Sequence, residues 1–361
     1  MARITFILPG SGDHPVGGFK IAYEYANHLV ARGHSISVVH PAILYSDTPI
    51  YQLPKKWARF FQRKLDKSYI PNRWFKIDKR VNMLWVKSLE EINIPDSDFV
   101  IATAWRTAEW ISNYDATKGK KFYLIQDVED WSGPQARVEA TWKLSMHKIV
   151  ISRWLQDIGK QHGLSTTYIP NGLDFSVFGI DRSIESRDPY SVVMLYHHLE
   201  KKGVADGLKA LDIVRQHYPK LAVTLFGVSN GELLPKWISY QATPSQKVLR
   251  NIYNNAAIFL APSHAEGWDL TASEAMMCGA AVVGTNIGGH QEFMEDGVTA
   301  LLAPARNPQA LAERLLLLLS DTNQRIDIAK NGHRFIQRFT WDKAVDALEA
   351  TLCRTIDNAT G

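Results

Sequence analysis

Hydrophobic positions along the chain fall into two kinds of run that alternate with each other. Short runs rich in β-branched and aromatic residues are followed by longer runs in which apolar residues recur at helical spacing. This alternation is typical of βαβ units, which form parallel sheets covered by helices. It starts again after residues 169–174, whose sequence IPNGLD is typical of a turn or linker. The pattern therefore predicts two α/β domains in series.

Individual elements follow from the same pattern. In the first half we expect strands at 4–8, 35–40, 83–86, 99–103, 122–126 and 148–151, and helices at 19–32 and 153–162. In the second half we expect strands at 192–196, 222–227, 258–261 and 281–284. Helices are expected there at 204–217, 246–254, 271–277, 308–319, 323–339 and 341–356. Doubly wound domains of this kind bind ligands outside the carboxyl edges of their sheets, so we expect a cleft between two such edges.

Composition supports a globular protein with two cores. The chain has 361 residues, of which 45% are apolar and 22% charged, so disordered, collagenous and coiled-coil chains are excluded. This length fits two domains, which we expect at 1–170 and 171–340, followed by a closing helix at 341–361. Cys278 and Cys353 are too few for a disulfide framework or a zinc site.

The N-terminal run MARITFILPG is short and ends in Pro-Gly, so it predicts a first strand and not a signal sequence. No apolar stretch approaches the roughly 20 residues that a membrane span needs. We therefore expect a protein of the reducing cytoplasm.

Charge is concentrated in one aromatic stretch. The net charge is +4, but residues 55–87 contain 11 Lys or Arg against 2 Asp. Within PKKWARFFQRKL the aromatic residues recur at helical spacing, which is typical of a basic amphipathic helix in a membrane interface. The alternative is that the aromatic residues pack on the first domain and the cations are solvated. The residues of this candidate membrane or acceptor surface are Lys55, Lys56, Trp57, Arg59, Phe60, Arg63 and Lys64.

A glycine-rich loop follows the first strand. The sequence PGSGDHPVGGFK places Gly17 and Gly18 at the start of a helix, where backbone N–H groups and the helix dipole favour a phosphate. The loop is not GxGxxG, and His40, not an acidic residue, ends the second strand. A nicotinamide enzyme is therefore disfavoured. The alternative explanation of these glycines is a tight turn.

Two carboxylates mark the segment 263–292, SHAEGWDLTASEAMMCGAAVVGTNIGGHQE. Glu266 and Glu274 are eight positions apart, which does not bring them onto one helical face. We expect Glu266 in a loop and Glu274 on the first turns of the next helix, so that both line one cleft. The alternatives are a solvated loop carboxylate at Glu266 and a capping box formed by Thr271 and Glu274.

This segment resembles the E-x7-E block of the retaining family 4 glycosyltransferases of GT-B fold. Four further segments resemble that family in the same order: PVGGFKIAYEYANHLVARGHSISVV, IPNGLD, IYNNAAIFLAPS and FTWDKAVDAL. The resemblance covers most of the chain except about 42–87. It implies two Rossmann-like domains that face each other across a cleft, with the C-terminal helix crossing back to the first domain.

The resemblance also implies roles for individual residues. Glu266 would contact hydroxyls of the donor sugar and Glu274 the ribose, while Lys202 would face the leaving phosphate. Asp127 would lie near the reacting centre, beside Gln126 where the family often has His. Further donor-binding residues implied by the family pattern are Gly17, Gly18, His198, Lys201, Gly267 and Trp268.

The chain departs from the family at the phosphate and the sugar. In YHHLEKKG, His198 stands where Arg is expected, with a spacing one residue shorter, and Lys201 is a candidate to compensate. A neutral His offers one donor where Arg offers a bidentate fork. Trp268 and Asp269 replace a common Phe-Gly pair, which predicts a different shape of the sugar pocket.

Together these features predict a retaining, metal-independent glycosyltransferase of hexosyltransferase type, without a cofactor. It would move a sugar from a nucleotide-sugar donor to a carbohydrate or lipid-linked hydroxyl acceptor in glycan assembly. We expect a cytoplasmic protein peripheral to the inner face of the plasma membrane, with no nucleic-acid partner. Two alternatives remain: a nucleotide-sugar epimerase or hydrolase of the same fold, and a non-catalytic sugar or nucleic-acid binding protein.

Overall fold

The computed structural model describes residues 1–12, 14–44, 51, 53–228, 231 and 234–357. The chain divides into two compact units. The first unit is Met1–Asn171 together with Trp341–Gly361, and the second unit is Gly172–Thr340. Each unit contains one parallel sheet with its own buried apolar core.

The sheet of the first unit has seven parallel strands in the order β3-β2-β1-β4-β5-β6-β7. Its central strands are apolar on both faces, as expected for a sheet covered by helices on both sides. Ile4 of β1 pairs with Ile36 of β2 on one side and with Phe99 of β4 on the other. The strands are β1 Arg3–Ile7, β2 Ser35–Ile43, β3 Asn82–Ser88, β4 Phe99–Ala102, β5 Lys120–Ile125, β6 His147–Val150 and β7 Thr166–Tyr168.

Among the residues that the structure describes, five α-helices connect these strands. The first buries an apolar stripe that includes Ile21, Tyr25 and Leu29, and it ends where Gly33 adopts a left-handed φ of 91°. The helices are α1 Gly17–Ala31, α2 Leu53–Asp66, α3 Trp105–Ser112, α4 Gln135–Trp142 and α5 Arg153–Gln161.

The sheet of the second unit has six parallel strands in the order β10-β9-β8-β11-β12-β13. Its core combines the strand interiors with Leu211 of α6 and Leu315 and Leu318 of α9. The strands are β8 Ser191–Leu195, β9 Ala222–Gly227, β10 Ile238–Ala242, β11 Ile258–Ala261, β12 Ala281–Thr285 and β13 Leu301–Ala303. The helices are α6 Val204–His217, α7 Gln246–Asn255, α8 Leu270–Met277, α9 Pro308–Ser320 and α10 Thr322–Ile336.

The closing helix, α11 Trp341–Asp357, is part of the first unit. The Trp341 ring meets Tyr25 of α1 edge to face, with 5.1 Å between ring centroids. Arg32, at the end of α1, donates to Asp346 and Glu349 of α11 at 2.5 Å each. The chain therefore returns from the second unit to pack on the first helix of the first unit.

The structure confirms the predicted α/β class and nearly all the predicted elements to within three residues at either end. Three strands were missed, β7, β10 and β13, because they are short or carry many polar residues. The helices α3 and α4 were also missed, since eight residues give little periodic signal. Among the described helices, none has both the length and the apolar composition that crossing a bilayer would require.

Candidate active site

The candidate residues of the second unit follow two neighbouring strands. The loop after β8 carries Lys201 and Lys202, and the loop after β11 carries Glu266. The chain leaves β8 toward β9 on one side and leaves β11 toward β12 on the other, so the sheet changes winding direction between them. Ligands of open α/β sheets bind at such a point, outside the carboxyl ends of the strands. We call residues 263–269 the carboxylate loop.

Glu266 is buried and paired. Its Oε1 lies 2.6 Å from Lys202 Nζ and accepts a hydrogen bond of 2.7 Å from Ser263 Oγ. Burial raises the pKa of the Glu266 carboxyl, and the attraction of Lys202 opposes this rise without cancelling it. The solvated loop carboxylate considered from the sequence is therefore wrong for Glu266, which is only 5% exposed.

Close backbone contact brings Lys202 to Glu266. Gly203 has a left-handed φ of 62°, and a Cβ there would lie 1.9 Å from the carbonyl oxygen of Pro262. Two residues after Pro262, in the carboxylate loop, the His264 amide donates to the Lys201 carbonyl at 2.7 Å. A glycine at 203 is thus required for the two loops to touch.

The helix after the carboxylate loop begins differently from the capping-box alternative. Its N-cap is Asp269, whose Oδ1 accepts from the Ala272 amide at 3.0 Å and from Thr271 Oγ1 at 2.7 Å. The capping box of Thr271 and Glu274 is therefore wrong, since Thr271 lies inside the helix. Glu274 Oε2 instead lies 3.4 Å from the hydroxyl of the buried Tyr253, which donates to it.

His290 was missed by the sequence reasoning. Its Nε2 lies 3.2 Å from Asp269 Oδ2, and its Nδ1 lies 2.8 Å from the carbonyl oxygen of Thr285. Burial alone would raise the pKa of Asp269, but the hydrogen bond and charge of His290, with Lys202, hold it well below its usual range. The sequence did contain a signal for this pair. Asp269 stands where the family that the chain resembles often has Gly, and His290 directly follows the Gly-Gly turn.

Trp268 lies in the interior of the second unit. Its ring is 5.4 Å from that of Phe293 and 5.0 Å from that of Phe339, and its Nε1 donates to Ser273 Oγ at 3.0 Å. The Trp268 ring is therefore part of the core of the second unit, and its part in donor binding stays a prediction. Gly267, just before it, is also buried.

Two histidines stack beside the lysines. The rings of His197 and His198 lie 4.7 Å apart, and His197 Nδ1 accepts from the Leu199 amide at 3.0 Å. Burial and the positive charge of Lys202 lower the pKa of His197 to about 4, so it is neutral at pH 7. The sequence pointed to His198, which is exposed, whereas His197 is the partly buried member of the pair.

The candidate residues of the first unit lie after β1 and β5. Gly17 and Gly18 begin α1, ahead of Phe19 and Lys20, whose amides both bond to the Val16 carbonyl. The amides of the two glycines therefore point out of the helix N-terminus, as a phosphate contact requires. Gln126 holds this turn, since its Nε2 donates to the Gly18 carbonyl at 3.2 Å.

Asp127 follows Gln126 at the end of β5 and is partly buried. Its Oδ1 accepts from the amide of the next residue, Val128, at 2.8 Å. Asp127 therefore lies at the carboxyl edge of its sheet.

Three side chains hold residues 10–12, which we call the glycine loop. His40 Nδ1 lies 2.5 Å from the Gly10 carbonyl, Trp74 Nε1 donates to the Gly12 carbonyl at 3.1 Å, and Arg63 donates to Ser11 Oγ. Arg63 is only 7% exposed and lies over the Trp85 ring. Its expected place on a membrane or acceptor surface is therefore wrong, because its guanidinium turns inward.

The other residues of α2 fall into two groups, one that packs on the first unit and one that is exposed. Phe60 stacks on Trp85, and the Lys87 ammonium lies 4.4 Å above the Trp57 ring, so both aromatic side chains pack on the first unit. Phe61 and Leu65 are instead 56% and 85% exposed. Four basic residues lie on the helix beside them: Lys55, Arg59 and Lys64, which are exposed, and Lys56, which is partly exposed.

In the part of the chain that the structure describes, no group of three or more His, Cys, Asp or Glu side chains is arranged to hold a metal ion.

Comparison with known proteins supports the resemblance predicted from the sequence. Residues 191–321 match the family model described as "Glycosyl transferases group 1". An uncharacterized glycosyltransferase of Methanocaldococcus jannaschii is 36% identical over 89 residues, 25% of this chain and 25% of that protein. A D-inositol 3-phosphate glycosyltransferase of Corynebacterium urealyticum is 38% identical over 100 residues, 28% of this chain and 24% of that protein. The matched region thus spans about a quarter of the length of these curated relatives.

The fold has a counterpart that covers nearly the whole chain. The crystal structure of Anabaena HepE, in complex with UDP and glucose, aligns with a TM-score of 0.74 at 18% identity. The alignment covers 98% of this chain and 100% of that one. This likeness confirms the predicted GT-B fold.

Proposed function

We propose that the protein is a retaining glycosyltransferase that moves a sugar from a nucleotide-sugar donor to a hydroxyl acceptor without a metal ion. The observation that carries this proposal is the buried pair of Glu266 and Lys202 at the point where the second sheet changes winding direction. The match of residues 191–321 to glycosyltransferases lies over the same loops.

The chemistry of sugar transfer suits this pair. Cleavage of a sugar–phosphate bond leaves negative charge on the diphosphate and positive charge on the sugar. Fixed cations and N–H dipoles near the phosphate stabilise that transition state. Lys202 would supply the cation, and Glu266, held by Lys202 and Ser263, would accept hydrogen bonds from sugar hydroxyls.

The remaining assignments are part of the same proposal. Glu274 would contact the ribose, Gly17 and Gly18 would contact phosphate oxygens, and Asp127 would act as a catalytic group of the first unit. Lys201 and His198 would add positive charge or donors near the phosphate. Since His197 is neutral at pH 7, the lysines carry most of the charge that replaces the family's Arg.

The first experiment is a ligand panel on the purified protein. Thermal shift and titration calorimetry would compare UDP, GDP, ADP and their glucose conjugates, with UDP first because HepE binds it. A ligand at 100 times its Kd should stabilise the protein by about 2.7 kcal/mol. Absence of any shift across the panel would contradict the proposal.

Product analysis separates transfer from the alternatives. Incubation of the bound donor with mono- and oligosaccharide and lipid-linked acceptors should give a product that keeps the anomeric configuration of the donor. Free or epimerised sugar alone would favour a hydrolase or an epimerase, and binding without turnover would favour a non-catalytic protein. Activity should persist in EDTA, and loss that magnesium or manganese restores would contradict a metal-independent site.

We also propose that the protein is cytoplasmic and associates with an anionic membrane surface through α2. The support is the exposed pair of Phe61 and Leu65 next to exposed cations of the same helix. Each basic residue near such a surface contributes about 1 kcal/mol.

Vesicle sedimentation tests this association. The wild type should sediment with phosphatidylglycerol vesicles and not with phosphatidylcholine vesicles. Changing Lys55, Arg59 and Lys64 together to Gln should abolish sedimentation, while Arg63 stays intact because it is buried. The matched control changes three exposed cations elsewhere in the first unit, Lys143, Lys160 and Arg354, to Gln. Equal loss in both triple variants would contradict a specific role of α2.

A further inference from the structure

We infer that Asp269 and His290 act together as positioning residues that hold the carboxylate loop against the turn formed by Gly288 and Gly289. The inference rests on the proposed function, because the loop it concerns carries Glu266. Asp269 is 5% exposed and His290 is fully buried, and both carboxylate oxygens of Asp269 and both ring nitrogens of His290 already contact partners within the second unit. Their effect on the reaction must therefore pass through the residues that they hold.

The geometry defines the charge of the pair. His290 Nε2 faces a carboxylate oxygen of Asp269 at 3.2 Å, and His290 Nδ1 faces the carbonyl oxygen of Thr285 at 2.8 Å. A carbonyl and an ionised carboxylate can only accept, so each ring nitrogen must donate. Only the doubly protonated ring satisfies both contacts, and the two residues therefore form a buried ion pair.

The pair is linked to Glu266 by side-chain hydrogen bonds. Thr285, whose carbonyl accepts from His290, uses its own hydroxyl to donate to the Ser263 carbonyl. Ser263 Oγ in turn donates to Glu266 Oε1 at 2.7 Å. The position of the Glu266 carboxylate therefore depends on residues that His290 fixes at the end of β12.

Close backbone contact also links the turn of Gly288 and Gly289 to the carboxylate loop. A Cβ on Gly289 would lie 2.3 Å from the carbonyl oxygen of Glu266 and 2.9 Å from the carbonyl carbon of Gly267, so the turn rests directly on the carboxylate loop. His290 follows this glycine and reaches Asp269, three residues beyond Glu266. Asp269 also caps α8, the helix that carries Glu274. The pair of Asp269 and His290 thus fixes the carboxylate loop, the Gly-Gly turn and the start of α8.

Two conservative variants test the pair. Asp269→Asn keeps the size and a capping oxygen but removes the charge that faces His290, and His290→Gln removes the cation. Each should lower turnover, and affinity for UDP-glucose or the best donor of the panel, by roughly 10- to 100-fold, by analogy with the loss seen when a group that orients a metal ligand is removed. Affinity for the nucleoside diphosphate alone should change less than about threefold, because it lacks the sugar that Glu266 contacts.

The matched control is Arg325→Gln. Arg325 is as buried as Asp269, belongs to the same unit and donates to the Leu318 carbonyl between α9 and α10, away from the carboxylate loop. It should lower the melting temperature while leaving the ratio of sugar-nucleotide to nucleotide affinity unchanged. If Asp269→Asn and His290→Gln also lower only the melting temperature, the pair is merely structural and the inference is wrong.

A readout without ligand separates this inference from the proposed function. The amides of His264 and Ala272 are hydrogen-bonded to Lys201 and Asp269, and their hydrogen exchange reports how firmly the loop is held. Exchange at both amides should rise at least tenfold in the two pair variants and stay unchanged in Arg325→Gln. Faster exchange in a protein that binds no nucleotide would support the pair and refute the function. Unchanged exchange in an active protein would refute the pair alone.

Discussion

The glycine loop of the first unit and the carboxylate loop of the second unit are held in place by different means. Aromatic and basic side chains from distant parts of the chain hold the glycine loop, and the Trp74 indole and the Arg63 guanidinium come from the region that the family resemblance does not cover. The carboxylate loop is held by a compact polar network, most of which lies within about 30 residues of Glu266.

The difference concerns what each loop must present. A buried carboxylate such as Glu266 needs polar partners, because an unpaired buried charge is costly. The glycine loop presents mainly backbone groups. One side-chain contact to each of Gly10, Ser11 and Gly12 is therefore enough to hold its backbone in place. Substitutions around the carboxylate loop should therefore act mainly on chemistry, and substitutions around the glycine loop mainly on stability and local order.

The largest effect is expected for Glu266→Gln. The substitution keeps the side-chain volume but removes the charge that accepts from Ser263 and pairs with Lys202. Loss of an interaction that strengthens in the transition state costs about 2 to 4 kcal/mol, or roughly 30- to 1000-fold in rate. Steady-state transfer assays would measure it. Turnover near that of the wild type would refute the assignment.

Glu274→Gln is the comparison variant for Glu266. It should mainly weaken binding of the nucleoside diphosphate, measured by calorimetry, with a smaller effect on the rate at saturation. If it changes only the melting temperature, the contact of Glu274 with Tyr253 is structural.

The next effect concerns acid stability of the first unit. Burial, with the charge of Arg63, lowers the pKa of His40 from 6.5 to about 4, although the hydrogen bond to the Gly10 carbonyl opposes the shift. Between these values the unfolded chain binds a proton that the folded unit does not. Stability is therefore complete above pH 6.5 and falls as the pH decreases toward 4, with a loss of about 2 kcal/mol at pH 5.

His40→Gln checks this origin. Native-state hydrogen exchange in β1 and β2, corrected for the intrinsic effect of pH, would give opening free energies at pH 7.5 and pH 5. The difference between the two pH values should be about 2 kcal/mol smaller in the variant than in the wild type. The same pH dependence in both proteins would show that other groups are responsible.

Removal of the cation at the phosphate position should have an effect of similar size. Lys202→Ala removes the cation that pairs with Glu266 and leaves that buried carboxylate without it. Because a hydrogen bond to a charged group contributes about 1.5 to 3 kcal/mol, affinity for the nucleoside diphosphate should fall roughly 10- to 100-fold. His198→Ala, at an exposed position, should have a smaller effect. If calorimetry gives the reverse ranking, the phosphate contact depends on the histidine pair.

The two loops also show how far the sequence alone leads. Periodicity predicted both sheets, and the E-x7-E spacing pointed to Glu266 and Glu274, because these features lie within single βα units. The direction of the Arg63 side chain was not predictable. Helical spacing shows which residues share a face of α2, but it does not show which basic side chain reaches Trp85 and Ser11.

His290 shows the same limit inside a recognised motif. It lies 21 residues from Asp269, and the two meet only because β12 returns the chain to the start of α8. Hydrophobic patterning records which residues are buried, whereas the pairing of two buried polar groups depends on register and loop geometry.

The smallest effect is expected for Trp74→Phe, matched with Trp85→Phe. Each removes one indole N–H that donates to a carbonyl, that of Gly12 at 3.1 Å and that of Phe60 at 3.0 Å. Both should therefore lower the free energy of unfolding by about 1 kcal/mol in urea titrations. Only Trp74→Phe should increase the mobility of the glycine loop, because of the two indoles only that of Trp74 bonds to this loop. The increase would be seen as lower backbone order parameters at Ser11 and Gly12. Equal order parameters in both variants would show that His40 and Arg63 hold the loop without the indole.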